Sequence, residues 1–281
     1  MKVFERTVDL QFFLDNCKNN NKKVALVPTM GGLHDGHLML VEKARALADI
    51  VVVSIFVNPT QFSKGEDFES YPKNFTNDKA LLDTRSVDIL FIPSKNEIYP
   101  DGTLLNYEVG EMGKILCGAF RPFHFNGVAQ VIKRLFDIVM PDYSVFGEKD
   151  YQQLLIIKSL VQNLDLSVSI ESVATQREVD GLAMSTRNQH LSIENRKKAS
   201  LFYRQLSKAK TAIEQGKLIK FVRQDALSKL SVDFEVEYLE VLNANNLTQI
   251  ATNTAEIIII SAIRLGDTRL IDNIVFRRLN V

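Results

Sequence analysis

Two histidines three residues apart, His34 and His37, are half of the four in this 281-residue chain, and Gly31, Gly32 and Gly36 surround them. Glycine has no Cβ, so its backbone can approach a ligand closely. Imidazoles at a helix start can donate hydrogen bonds to oxygens whose charge grows during a reaction, an effect of about 3–4 kcal/mol per aimed donor. An apolar run at residues 24–27 precedes the stretch and a helical pattern at 38–48 follows it. A strand that breaks into a glycine-rich turn and opens a helix directs N–H groups and the positive end of the helix dipole into the turn, which suits phosphate. Together these features point to a nucleotide site that stabilises charge on phosphates. Two plainer readings stand beside it: rings that cap the helix through the backbone, or a zinc site, for which no third ligand is evident.

Further clusters carry chemistry. Asn58 and Gln61 are neutral amides after an apolar run, suited to hydroxyls and a carboxylate; Asn before Pro is also a common turn starter. Arg121 and His124 stand in a loop entering a helical pattern, where they could bind an anion or serve capping and packing. In Gly147-Glu148-Lys149-Asp150, the lysine can neutralise phosphate and Asp150 can hold ribose hydroxyls or Mg²⁺. Gln153 follows one helical turn later, on the same face as Lys149 and Asp150. The alternative is an acidic first turn that favours the helix dipole.

The elements that must position these residues can be read in order. Helical spacing is expected over 7–20, 38–48, 74–85, 127–140 and 151–162. Strands are expected over 23–27, 50–57, 87–92, 143–146 and 167–173. Residues 50–57 are nearly all apolar and β-branched, as in a strand buried on both faces. Alternation of strand and helix implies a parallel sheet, whose ligands bind beyond the carboxyl ends of the strands. Residues 28–37 and 58–62 both lie at such ends and should meet. After residue 192 the order changes to helices at 193–215 and 218–230, then strands at 234–242, 256–263 and 268–273. The expectation is an α/β fold: a Rossmann-like doubly wound parallel-sheet domain at 1–178, followed by a smaller α+β C-terminal lid domain at 179–281.

Lys and Arg number 34, as do Asp and Glu, so the formal charge is zero and a nucleic-acid surface is not expected. Cys17 and Cys117 have no metal-like or disulfide-framework spacing and read as reduced thiols in a cytoplasmic protein. Residues 1–6 lack an apolar signal core, and no run of about 18 apolar residues suggests a membrane span.

Residues 28–37, Pro-Thr-Met-Gly-Gly-Leu-His-Asp-Gly-His, resemble the HxGH signature of the nucleotidyltransferase superfamily, which includes class I aminoacyl-tRNA synthetases. The longer pattern is similar to that of the pantothenate synthetase (pantoate–β-alanine ligase) family. Phe56 to Phe62, Arg121 to Val128, Gly147 to Gln153 and Met184 to Asn188 match further motifs of that family in the same order. The resemblance implies a two-step reaction: pantoate attacks ATP to give pantoyl adenylate and pyrophosphate, and β-alanine then displaces AMP. It implies ATP contacts from Met30, Gly31, Gly32, Leu33, His34, Asp35, Gly36 and His37, and from Gly147, Glu148, Lys149 and Asp150. Gln176 takes a position near adenine, and Met184, Ser185, Thr186 and Arg187 form a second signature touching phosphates. His34, His37, Lys149, Ser185 and Arg187 are the implied catalytic set. Asn58, Gln61, Tyr71, Arg121, His124 and Gln153 are implied on the substrate side, and Asp150 on Mg²⁺. A homodimer is implied as well. The chain departs from the pattern at Lys73, Gln130, Gln176 and Thr186. Another HxGH-type adenylyl- or cytidylyltransferase, or a non-catalytic nucleotide-binding regulator, is the alternative.

Overall fold

The computed structural model describes residues 1–63, 65–102 and 107–278. The chain divides into two compact units, Met1–Glu148 with Ile156–Ala174, and Lys149–Leu155 with Thr175–Val281. In chain order the elements are β1 (Lys2–Phe4), α1 (Thr7–Asn19), β2 (Val24–Thr29), α2 (Asp35–Leu47), β3 (Ile50–Ile55), α3 (Phe75–Asp83), β4 (Ile89–Phe91), α4 (Lys95–Ile98), α5 (Cys117–Phe120), α6 (His124–Val139), β5 (Tyr143–Gly147), α7 (Tyr151–Asn163), β6 (Ser169–Val173), α8 (Ile193–Glu214), α9 (Ile219–Leu230), β7 (Glu235–Asn243), β8 (Glu256–Leu265) and β9 (Thr268–Arg277).

The first unit is built on a six-stranded sheet in the order β1-β4-β3-β2-β5-β6, with every pairing parallel. Its strands are apolar because both faces are covered. Ala25, Val27, Val51, Val53 and Val145 pack with Leu38, Val41 and Ala44 of α2. Residues of the opposite parity, Val24, Leu26, Val52, Ile89 and Phe91, are fully buried on the other face, where α6 packs on β2. Connections run outward from β2 to β3 on one side and lead to β5 on the other. The gap between the carboxyl ends of β2 and β5 is therefore the topological switch point, where ligands of such sheets bind.

The second unit is an antiparallel sheet, β7-β8-β9, covered by α8 and α9. Ile257, Ile259, Ile263 and Leu265 of β8 alternate into a core with Phe202, Leu206, Val222 and Leu230. A two-residue hairpin joins β8 to β9, with Leu265 paired to Thr268 and Gly266 at φ +60°. Positive φ at the first loop position is why glycine stands there.

Several boundaries differ from the sequence expectation. β1 has only three residues and no buried alternation to signal it; it adds to the sheet edge through β4. α4 and α5 are single turns, too short for a periodic signal. β9 runs on to Arg277 because β8 pairs with it along its whole length. α6 opens at His124 rather than at Gly127. Gly127 is thus inside the helix, where a Cβ would lie 2.2 Å from the Thr60 carbonyl oxygen and 2.7 Å from the Gln61 nitrogen.

Candidate active site

The turn after β2 sits at the switch point. Gly31 and Gly32 adopt φ of +83° and +63°, a region that favours glycine. The turn is held from beneath by Asp78 of α3, only 1% exposed. Its carboxylate accepts the Gly32 N–H at 2.9 Å and the Leu33 N–H at 2.7 Å. The sequence expectation of open N–H groups in the turn is corrected here: those of Gly32 and Leu33 are taken by Asp78, and a phosphate would meet a carboxylate behind them. Asp78 reads in the sequence as one polar residue of a helix, so nothing local marks its role.

The histidines do two things at once. His34 is the N-cap of α2, and its Nδ1 accepts the Gly36 N–H at 3.1 Å, while Nδ1 of His37 accepts the His34 N–H at 3.3 Å. This is a reciprocal capping box made of imidazoles. A ring nitrogen that accepts carries no proton, so each neutral ring has its proton on Nε2. The ring centroids are 4.1 Å apart. Capping, one of the alternatives in the sequence, is therefore what Nδ1 of each ring does.

Gln61 is the centre of the second cluster, and the two stretches meet as expected: its Nε2 lies 3.1 Å from the Met30 sulfur. Three residues read as ligand contacts prove to surround it. Asn58, 1% exposed, donates to Gln61 Oε1 and to the Gly127 carbonyl, each at 3.1 Å. Its Oδ1 accepts from Tyr99 Oη at 2.9 Å and Thr60 Oγ1 at 3.0 Å. Both amide hydrogens of Asn58 are thus committed within the protein. His124 donates from Nδ1 to the Gln61 carbonyl at 2.7 Å, and Arg121 reaches His124 Nε2 at 3.1 Å. Arg121 also pairs two-pronged with Glu66, which meets its charge within the protein. Burial alone would raise the Glu66 carboxyl, but hydrogen bonds and charge from Arg121 hold it below its ordinary 4.5. Burial raises the Tyr99 phenol, with Thr60 and Asn58 opposing. Tyr71 is buried edge-on against Phe62, their centroids 6.1 Å apart, and Lys73 lies over the ring of Phe68.

Beyond β5, Gly147 and Glu148 belong to the first unit, and Glu148 accepts from Ser172 Oγ at 2.7 Å. Lys149 and Asp150 belong to the second. Lys149 Nζ stands 3.7 Å from Asp150 Oδ2, and Gln153 is half-buried in the first turn of α7. Residues 176–188 form a tight loop. Met184 N–H donates to the Gln176 carbonyl at 2.9 Å, so the backbone of Gln176 closes the loop whatever its side chain. Ser185 Oγ accepts the Arg187 N–H at 3.3 Å and caps the 3-10 turn Thr186–His190. Asp180 pairs with Arg196 of α8, whose hydrogen bond lowers the Asp180 carboxyl.

Sequence reading passed over Arg177, Asp272 and Asn273. Arg177 pairs two-pronged with Asp272 at 2.7 and 3.0 Å. Its guanidinium lies 3.6 Å from the ring centroid of Tyr203, on which it stacks. Burial pushes the Asp272 carboxyl up, and Arg177 pulls it back. Among the described residues no three His, Cys, Asp or Glu side chains are grouped to hold a metal ion. No helix among the described residues is long and apolar enough to cross a membrane.

A parallel sheet of dinucleotide-fold order, with glycines and paired imidazoles at its switch point, defines the α/β nucleotide-binding class. Within that class the chain belongs to the pantoate-beta-alanine ligase family, whose model matches residues 2–275. It is 50% identical to the pantothenate synthetase of Ruthia magnifica over 99% of this chain and 100% of that one. The pantothenate synthetase structure from Thermus thermophilus superposes with TM-score 0.91 at 41% identity, covering 98% of this chain and 99% of that one. The pantoate-beta-alanine ligase of Francisella tularensis, solved with beta-gamma ATP and beta-alanine, gives 0.81 at 34% identity, over 98% and 97% of the two chains.

Proposed function

We propose that this chain joins pantoate to β-alanine with cleavage of ATP, through a pantoyl-adenylate intermediate. The observation that carries the reading is the locked amide of Gln61, 3.1 Å from Met30 in the turn that bears the imidazole pair. A neutral amide suited to pantoate's hydroxyl and carboxylate thus stands beside groups suited to phosphate. Family membership and the activity for which the relatives are named support it.

In the first step a pantoate carboxylate oxygen attacks the α-phosphorus of ATP, the bond to the bridging oxygen breaks and pyrophosphate leaves. Negative charge grows on the departing oxygens. The Nε2–H groups of His34 and His37, the ammonium of Lys149, the guanidinium of Arg187 and the hydroxyl of Ser185 are the groups we assign to it. Preorganised donors of this kind contribute about 3–4 kcal/mol each. In the second step the amine of β-alanine attacks the acyl carbon, AMP leaves with the C–O bonding pair, and the nitrogen loses a proton. No side chain need act as nucleophile: positioning and charge stabilisation supply the rate.

Gln61 and Gln153 are assigned to pantoate, with Asn58, Arg121 and His124 setting Gln61. Met30 through His37, Gly147 through Asp150, Gln176, Met184 and Thr186 are assigned to the ATP side. A single half-exposed carboxylate oxygen donor, Asp150, suits Mg²⁺, which keeps several waters and takes its other ligands from phosphates. Bound there, Mg²⁺ would neutralise phosphate charge. The reading extends to a cytoplasmic homodimer: the buried thiols Cys17 and Cys117 are unbridged and suit a reducing compartment, and sedimentation tests the dimer.

The deciding experiment follows pyrophosphate and AMP with ATP, Mg²⁺, pantoate and β-alanine, omitting each in turn. Pyrophosphate without β-alanine, in a burst of about one per site, is expected, with AMP appearing only when the amine is added. No pyrophosphate dependence on pantoate would overturn the reading and favour another nucleotidyltransferase.

A further inference from the structure

Asp272 and Asn273 of β9 are adjacent, and adjacent strand residues point to opposite faces of a sheet. Both are buried, at 1% and 5% exposure. On one side the Asp272 carboxylate holds Arg177 by two hydrogen bonds, and Arg177 in turn donates to the Gly181 carbonyl at 3.1 Å and bridges in β fashion to Ala183. That arrangement closes the loop leading directly into Ser185 and Arg187, and the turn Thr186–His190 itself packs on β9. On the other side the Asn273 amide donates to the main-chain carbonyl of Lys149 at 3.0 Å. The two neighbours are tied to each other, because the Asn273 N–H donates to Asp272 Oδ1 at 2.7 Å and Arg177 reaches the Asn273 carbonyl at 3.3 Å.

We propose that Asp272 and Asn273 are positioning residues for the adenylation step, a strut that sets Lys149 and the Ser185–Arg187 loop in a common frame. This rests on the ligase reading given above. The physical need is specific. Lys149 lies in the 3-10 turn Glu148–Asp150 between β5 and α7, so its peptide plane is not fixed by a ladder of strand or helix bonds. A lysine on a flexible four-carbon stem is a point charge, aimed only as well as its backbone is held. Asn273 supplies that hold. Asp272 does the same for the second segment through Arg177, whose stacking on Tyr203 fixes the guanidinium plane. Gly181, at φ +93°, lets the loop pass where a Cβ would lie 2.6 Å from the Tyr203 ring.

The test is a double-mutant cycle on single-turnover pyrophosphate release from ATP and pantoate, with melting curves and pantoate KM recorded for each variant. Asn273→Ala is expected to slow release about tenfold or more, since misplacing a charge by an ångström can cost up to about a hundredfold, while pantoate KM stays within about twofold. Lys149→Ala is expected to slow it about a hundredfold. The double variant should be no slower than Lys149→Ala alone, because Asn273 acts through Lys149; residues of one network are not additive. Losses that multiply, to about a thousandfold, or an Asn273→Ala enzyme at the parental rate, would overturn the strut. A Lys149→Ala enzyme at the parental rate would instead remove the role of Lys149 on which both proposals stand. If Asn273→Ala does not fold, Asn273→Asp keeps the side-chain volume, lacks the N–H donor and enters the same cycle.

Discussion

In the first unit the groups that hold Asn58 and Gln61 are mainly neutral: Tyr99, Thr60 and the Gly127 carbonyl on Asn58, then Asn58 itself and the ring of His124 on Gln61, with the Arg121–Glu66 pair at the edge. In the second unit the loop carrying Ser185 and Arg187 hangs on an ion pair, Arg177–Asp272, whose acidic member is 1% exposed. Neutral brackets can lose one member and leave only a hydrogen-bonding group unpaired, at about 1–3 kcal/mol. A buried ion pair that loses one member leaves an uncompensated charge, at about 3–5 kcal/mol. The two supports should therefore fail differently: loss of a neutral bracket mainly impairs binding, and loss of the ion pair mainly lowers stability.

The largest expected effect follows. Asp272→Ala should destabilise the protein by about 3–5 kcal/mol, because Arg177, only 19% exposed, loses the carboxylate that balances its charge. Chemical denaturation measures it, and a loss under about 1 kcal/mol would mean that Arg177 relaxes to solvent and the contrast between the supports is smaller than drawn.

Next comes His37. Alanine there would remove a cap as well as a donor, since its Nδ1 accepts the His34 N–H. Glutamine at that position of a capping box can still reach back to the N-cap amide. His37→Gln should accordingly melt as the parent does yet form adenylate about a hundredfold more slowly. A parental rate of pyrophosphate release would leave the ring as a cap and nothing more.

Gln61→Ala tests the neutral side directly. Pantoate affinity should fall about tenfold, equal to roughly 1.4 kcal/mol, with ATP affinity unchanged; calorimetric titration of each ligand reads both. An equal loss for ATP would show that Gln61 shapes the whole pocket rather than one ligand's contacts.

The smallest effect is electrostatic. The Glu66 carboxyl titrates below its ordinary 4.5 in the folded protein. A lowered carboxyl contributes stability that is present above the unfolded value and is lost as pH falls from about 4.5 through the folded value. Glu66→Gln should flatten that acid limb by under about 1 kcal/mol, and pH-dependent melting checks it. An acid limb unaltered in the variant would place the acid sensitivity elsewhere, with Asp180–Arg196 the next pair to remove.

Much of this was legible in the chain itself. Residues 24–27 and 50–57 announce buried parallel strands because both faces are covered and nearly every position is apolar, and the glycines and histidines of 31–37 mark a strand-to-helix turn by types that few other roles require. Motif order further placed the chain among the pantoate-beta-alanine ligases, which the family match over residues 2–275 bears out. Local pattern carries such information because period, turn chemistry and capping act over a few residues. What only the tertiary structure decided is who satisfies whom. Asp78 takes the N–H groups of a turn 45 and 46 residues earlier, and Asn58, Arg121 and His124, chosen from their types as ligand contacts, direct their hydrogen bonds to Gln61 and its surroundings. Asn273 meets Lys149 across 124 residues. A buried polar group must find a partner, but its type states only what it can donate or accept; which partner it finds depends on distances that exist only once the chain has folded.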